Sequence, residues 1–134
     1  MNYILDACTI IAITKQEQGH EIVESLINKA INNEINLFMH QINLLEVYKY
    51  ISKYYNELAA EIMKDEIEKL PIAIIKDFNI KSASGFLIKF KVSIADSIAL
   101  STAQRFDAEL VTADYHDMKQ IEQFNPDSKF LWIR

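Results

Sequence analysis

Glycine and proline are almost missing from this 134-residue chain, with two of each. Their scarcity argues against linkers, repeats and low-complexity stretches and calls for short connections. Gly19 and Gly85 stand alone, so there is no glycine-rich phosphate cradle, and dinucleotide-binding and P-loop folds are disfavoured. The single cysteine, Cys8, excludes an internal disulfide and agrees with a reducing compartment. It has no zinc-ligand spacing with His20, His40 or His116. No run approaches a membrane span. Met1 to Asp6 lacks the basic flank and apolar length of a signal peptide, so a cytoplasmic protein with no membrane contact is expected. An excess of positive charge is absent too, because 14 Lys and Arg face 19 Asp and Glu for a net charge of −5. The overall field therefore does not announce nucleic-acid binding. Acids gathered in a metal site would inflate that negative count, and bound cations would reverse the local sign.

What is present is ordinary for a globular chain, half hydrophobic and a quarter charged, and long enough to bury a core as one domain over residues 1–134. Short apolar runs at Tyr3 to Leu5, Leu37 to Met39, Ile72 to Ile75, Leu110 to Val111 and Phe130 to Ile133 read as five buried strands. Between them lie helical patterns at His20 to Asn32, Ile42 to Tyr55, Glu57 to Leu70, Ile80 to Phe90 and Ala95 to Phe106, the third closed by Pro71. Strands that alternate with helices predict an α/β fold of three layers, α/β/α, around a parallel sheet of about five strands. Ligands in such sheets gather outside the carboxyl ends of the strands, where strand order reverses.

Acids occupy those places. Asp6 follows the first strand directly, Asp114 follows the fourth after Thr112 and Ala113, and Glu46 and Asp96 sit near helix starts. Four carboxylates converging on one edge repel one another unless a cation intervenes. Magnesium or manganese, which favour oxygen ligands and assist phosphodiester hydrolysis, answers that need. Each acid also has a plain structural reading. Asp6 fits an Asx turn or a helix cap before Thr9, and Asp114 a turn or cap before Tyr115 to Gln120. Glu46 and Asp96 fit capping boxes behind Asn43 and Ser93, and Glu46 can pair with Lys49.

The motifs Ile4-Leu5-Asp6-Ala7-Cys8, Asn43-Leu44-Leu45-Glu46-Val47, Ala95-Asp96-Ser97-Ile98-Ala99-Leu100 and Val111-Thr112-Ala113-Asp114 carry a resemblance across nearly the whole chain. In order, spacing and flanks the chain resembles the PIN domains, in particular the stand-alone toxin ribonucleases of the VapC type. The resemblance implies Mg²⁺ or Mn²⁺ held by Asp6, Glu46, Asp96 and Asp114, with Asp6 and Asp96 as the core ligands. It adds Asp117 as an accessory acid and Thr112 as a residue that orients the site. Cys8 stands where the family often has serine or asparagine, a departure at a hydrogen-bonding position.

The activity implied is endoribonuclease cleavage, in which a metal-activated water attacks an RNA phosphodiester in line. Lys49, Lys53, Lys89 and Lys91 would then guide the RNA backbone and Tyr48, Tyr50, Tyr54 and Tyr55 stack bases, against the plainer reading of solvated lysines and core or interface tyrosines. The family also implies a cognate antitoxin protein that blocks the acids, and a homodimer, with Tyr48 to Tyr55 as the candidate interface. Two rival readings stay open. One is a phosphatase of the haloacid-dehalogenase type, which expects a second Asp where Cys8 stands, and the other is a non-catalytic PIN-fold binding domain.

Overall fold

The computed structural model describes residues 1–134. In chain order the elements are β1 (Asn2–Leu5), α1 (Ala7–Lys15), α2 (His20–Ile31), β2 (Asn36–His40), α3 (Gln41–Tyr54) and α4 (Glu57–Lys69). They continue with β3 (Ile72–Ile75), α5 (Ile80–Lys89), α6 (Ile94–Arg105), β4 (Glu109–Thr112), α7 (Tyr115–Phe124) and β5 (Lys129–Trp132). All four strand pairings are parallel, in the order β3-β2-β1-β4-β5. The chain winds outward from β1 to β3, then returns to lay β4 on the other side of β1. The strand order therefore reverses between β1 and β4.

Alternation along the buried strands divides the core in two. Leu5 and Val111, register partners on β1 and β4, face one side with Leu37 and Met39, where α1 to α4 supply Ile10, Val23, Leu26, Val47, Ile51 and Ile67. Their neighbours Ile4 and Leu110, also partners, face the other side, against Phe86, Leu100, Ala103, Met118 and Ile121 from α5 to α7. Ile4, Leu5, Leu110 and Val111 have no exposed surface, as expected for central strands covered on both faces. The three-layer α/β/α arrangement follows. No helix is long and apolar enough to cross a membrane.

The five expected strands are present, each shifted by no more than a residue or two at its ends. The helix set is larger than the sequence suggested. Helix α1, rich in the β-branched residues Thr9, Ile10, Ile11, Ile13 and Thr14, hides its helical character, because those residues lose side-chain freedom in helices and favour strands. Helix α7 runs on to Phe124 rather than stopping at Gln120, since Met118 and Ile121 bury one turn apart against the second core. Asn43 does not cap α3. The helix begins at Gln41, and the buried His40 caps it, with Nδ1 accepting from the Ile42 N–H at 3.0 Å. Nε2 is then the protonated nitrogen and donates to the Asp77 carbonyl at 3.0 Å, tying the end of β2 to the loop after β3.

The turn from α1 to α2 depends on glycine. Gly19 has φ +96, and a Cβ there would lie 2.1 Å from the Ile133 carbonyl oxygen at the end of β5. Gly85, inside α5, has open space around it. The two positions should respond with opposite signs. Gly19→Ala should destabilise by about 2–4 kcal/mol through backbone strain and overpacking, while Gly85→Ala should stabilise by about 0.5–1 kcal/mol through helix propensity. Urea denaturation of both variants checks this, and equal midpoints would contradict the close approach at Ile133.

Candidate active site at the C-terminal edge of the sheet

The reversal between β1 and β4 opens a crevice at the edge where the parallel strands end. It is a cleft of about 590 Å³ bordered by Asp6, Glu46, Asp96 and Asp114 together with Lys49, Tyr50, Lys53, Tyr54 and Arg134. Adjacent strands bring Asp6 and Asp114 there. Asp6 extends the β1–β4 ladder through its N–H to the Val111 carbonyl at 3.3 Å and then stands at the start of α1. Asp114 stands at the start of α7, and Asp96 lies in the first turn of α6. Three helix N-termini thus meet at the cleft, and their dipoles favour the negative charge that collects there.

The capping readings prove partly right, and they do not exhaust the acids. The Ser93 hydroxyl accepts from the Asp96 N–H at 3.0 Å, and Asp96 Oδ2 accepts from the Ser93 N–H at 3.4 Å, which completes a capping box. Oδ1 of Asp96 is left for other work. Asp6 and Asp114 occupy cap positions, yet neither side chain caps its helix. The Asp6 carbonyl takes the bonds from Thr9 instead, its N–H at 3.3 Å and its hydroxyl at 2.8 Å. Glu46 lies in the second turn of α3 and accepts at Oε1 from Asn43 Nδ2 at 3.1 Å. Asn43 is therefore the buried residue that fixes Glu46, and its own Oδ1 has no protein partner.

Cys8 does the hydrogen bonding that its position requires. Its thiol donates to Asp6 Oδ1 at 2.8 Å while Sγ accepts from the Ala113 N–H at 3.1 Å, bridging the turns after β1 and β4. Burial, the Asp6 charge and this bond push the thiol's pKa well above its usual value, which makes Cys8 a poor nucleophile. Thr112, fully buried, accepts from the Asp114 N–H at 3.0 Å and so sets that turn.

Electrostatics singles out Asp96 as the charge common to the other three acids. Asp6, 6 % exposed, has its pKa raised to about 6, chiefly by burial and further by Asp96, while Cys8 and Thr112 pull the other way. Glu46 and Asp114 are also raised, first by burial, and the Asp96 charge adds to both. Asp96 itself is raised by burial and by Asp117. Asp117 is exposed in the first turn of α7 and does not border the cleft, so it acts on Asp96 and Asp114 from outside.

The donor set is all oxygen, the chemistry of a hard divalent ion. As the side chains stand, no three His, Cys, Asp or Glu groups converge tightly enough to ligate one ion. Of the expected RNA-guiding groups, Lys49, Lys53, Tyr50 and Tyr54 border the cleft. Lys89 belongs instead to a separate hollow along α5, and Tyr48 donates to Glu61 across the α3–α4 pair at 2.6 Å. Lys91 and Tyr55 are exposed outside the cleft. Arg134 was not anticipated, although it follows a strand at this same edge, the position that marked Asp6 and Asp114.

Fold and cleft together define an open parallel α/β protein with a carboxylate-lined crevice at its switch point. The family model described as PIN domain matches residues 3–123, and the chain belongs to the PIN-domain family. Its fold is similar to that of VapBC2 from Rickettsia felis, solved bound to a DNA fragment from their promoter (21% identity, 98% of each chain covered, TM-score 0.72). DNA-bound VapBC from Salmonella typhimurium is also similar (14% identity, 100% of this chain and 99% of the other, TM-score 0.73). So is VapBC-1 from nontypeable Haemophilus influenzae (15% identity, 99% and 98%, TM-score 0.71). A comparison with curated protein sequences gives no match.

Two outcomes follow from this geometry. With a folded-state pKa of about 6 against an ordinary 3.8, Asp6 favours the native state below pH 4 and loses that contribution as pH rises through 6. In chelator-treated protein, Asp6→Asn should therefore gain on the order of 2–3 kcal/mol over the parent at pH 8 and nothing at pH 4. Thermal melts at both pH values decide it, and a gain equal at both would refute the burial argument. Cys8→Ser should keep both hydrogen bonds, whereas Cys8→Ala leaves the Ala113 N–H without an acceptor and should cost about 1–2 kcal/mol. Equal melting temperatures for the two variants would show that the bridge contributes nothing.

Proposed function

We propose that this chain acts over its whole length as one metal-dependent endoribonuclease domain, the toxin of a type II toxin–antitoxin pair, in the cytoplasm. The observation that carries this reading is the gathering of Asp6, Glu46, Asp96 and Asp114 in one cleft that also presents lysines and tyrosines. Asp6 and Asp96 would hold Mg²⁺ or Mn²⁺, with Glu46 and Asp114 completing the shell directly or through water, and Asp117 adding negative charge from outside. The bound ion supplies an acidified water and charge relief at the leaving oxygen.

The chain's own groups do the rest. Cys8 and Thr112 orient Asp6 and the Asp114 turn, and Asn43 aims Glu46. Lys49 and Lys53 neutralise backbone phosphates, and Tyr50 and Tyr54, whose rings lie 4.6 Å apart, offer faces on which bases stack. Membership of the PIN family and the VapBC likeness support this reading. They also favour a small antitoxin as partner, and in this proposal it inserts a basic side chain among the acids. A homodimer belongs to the same proposal, with the exposed Tyr55, Leu58 and Ile62, from the end of α3 into α4, as its apolar surface.

Purified protein should cleave at least one member of a panel of total RNA and tRNA in Mg²⁺ or Mn²⁺ and none in EDTA. Asp96→Asn should lower the rate by more than about a hundredfold, because loss of even an outer-shell partner costs 10–100-fold. Identical behaviour of parent and variant would sink the nuclease reading in favour of a binding-only domain.

A further inference from the structure

A polynucleotide carries a negative charge at every residue, so a cleft that presents one phosphate to the carboxylates must accommodate its neighbours as well. The α3 wall offers Lys49 and Lys53. A second set of cations adjoins it: Arg134, beyond β5, borders the cleft, and Lys15, at the end of α1, lies next to that border on Glu17 and Tyr50. Lys15 Nζ lies 3.2 Å from Glu17 Oε1 and 5.6 Å from the centre of the Tyr50 ring. Arg134 Nη1 lies 2.9 Å from Glu17 Oε2 and 3.3 Å from the Gln18 carbonyl. Each Glu17 oxygen thus takes one cation, and the trio keeps a net positive charge.

The backbone is built to hold this arrangement. Thr112 and Trp132 are register partners on β4 and β5, so Asp114 and Arg134, each two residues further on, leave the sheet side by side. Gly19 lets the α1–α2 turn lie against the Ile133 carbonyl, which brings Glu17 and Gln18 onto Arg134. Of the five N–H groups on the guanidinium, those of Nη1 are engaged, and Nε and Nη2 have no partner although the residue borders the cleft. A guanidinium held along one edge with its other edge free matches the bidentate geometry of a phosphate. An exposed ion pair made only for stability would contribute little.

We propose that Lys15 and Arg134, gathered by Glu17, form a second phosphate subsite, which holds a backbone phosphate adjacent to the one presented to the carboxylates. Glu17 is a positioning residue that fixes the fork, and Arg134 is the contact. The inference rests on the nuclease reading of the cleft, and its test separates the two.

Fluorescence anisotropy of a labelled oligouridine, read over a salt series with full-length Asp96→Asn protein, reports binding without cutting. Adding Arg134→Ala should weaken binding by about tenfold, the loss of one charge-assisted hydrogen-bonding group. It should also flatten the salt slope by about 0.7, one phosphate contact on a single strand. Lys15→Ala should flatten the slope by a similar amount. Arg134→Lys should restore the slope and only part of the affinity, since lysine brings the charge without the fork. Lys29→Ala, in the last turn of α2 at the strand-starting edge, should leave both within twofold, and melting temperatures should stay level throughout. An Arg134→Ala protein that binds with the parent's affinity and slope, while RNA cleavage remains dependent on Asp96, overturns the subsite alone. A Lys29→Ala protein that flattens the slope as much as Arg134→Ala also overturns it, by showing a general charge effect. A parent chain with no salt-dependent binding and no Asp96-dependent cleavage of any RNA brings down both readings.

Discussion

Repulsion among carboxylates that share one edge of the sheet, centred on Asp96, is the constraint around which this protein is arranged. Burial raises the pKa of every one of them, and the Asp96 charge adds to Asp6, Glu46 and Asp114 alike. Three of them are supported individually, Asp6 by the Cys8 thiol, Asp96 by its capping box and Glu46 by Asn43. The N-termini of α1, α6 and α7 add a favourable field, but a helix start contributes less than a full charge. The residual imbalance is what makes a divalent cation the natural complement of the cleft.

The acidic net charge, which argued against a nucleic-acid ligand, has a local explanation. Part of the negative excess lies on the cleft floor, and the walls carry the opposite sign at Lys49, Lys53 and Arg134. Other cations are spent on local pairs, Arg105 with Asp77 and Lys129 with Asp107. A net charge summed over the surface averages away this segregation, so its sign carries little information about what the crevice binds.

The sheet was legible because its central strands are buried on both faces, which leaves short apolar runs such as Tyr3 to Leu5 that alternate with longer segments of helical spacing. The acids were legible through the rule that ligands meet the ends of parallel strands, together with motif spacing. What escaped has physical reasons. Helix α1 is written in β-branched residues and forms because Ile10 and Ala12 bury against the first core, a tertiary effect that overrides local propensity. The cap of α3 by His40 rather than Asn43 depends on a histidine bond that spacing does not encode. Cys8 looked like a lost hydrogen bond, yet a thiol close enough to a carboxylate still donates one. Arg134 becomes visible only when β4 and β5 are known to be neighbours in register.

The winding order of the strands has a consequence for when the cleft exists at all. β1, made first, finds one neighbour in β2 but waits for its other, β4, until after α6. Pairings so far apart in sequence close large loops and form late. No growing chain shorter than Asp114 contains the full set of acids, and no partly folded one without β4 in place brings them together. Whatever the cleft does therefore depends on the closing of β4 onto β1.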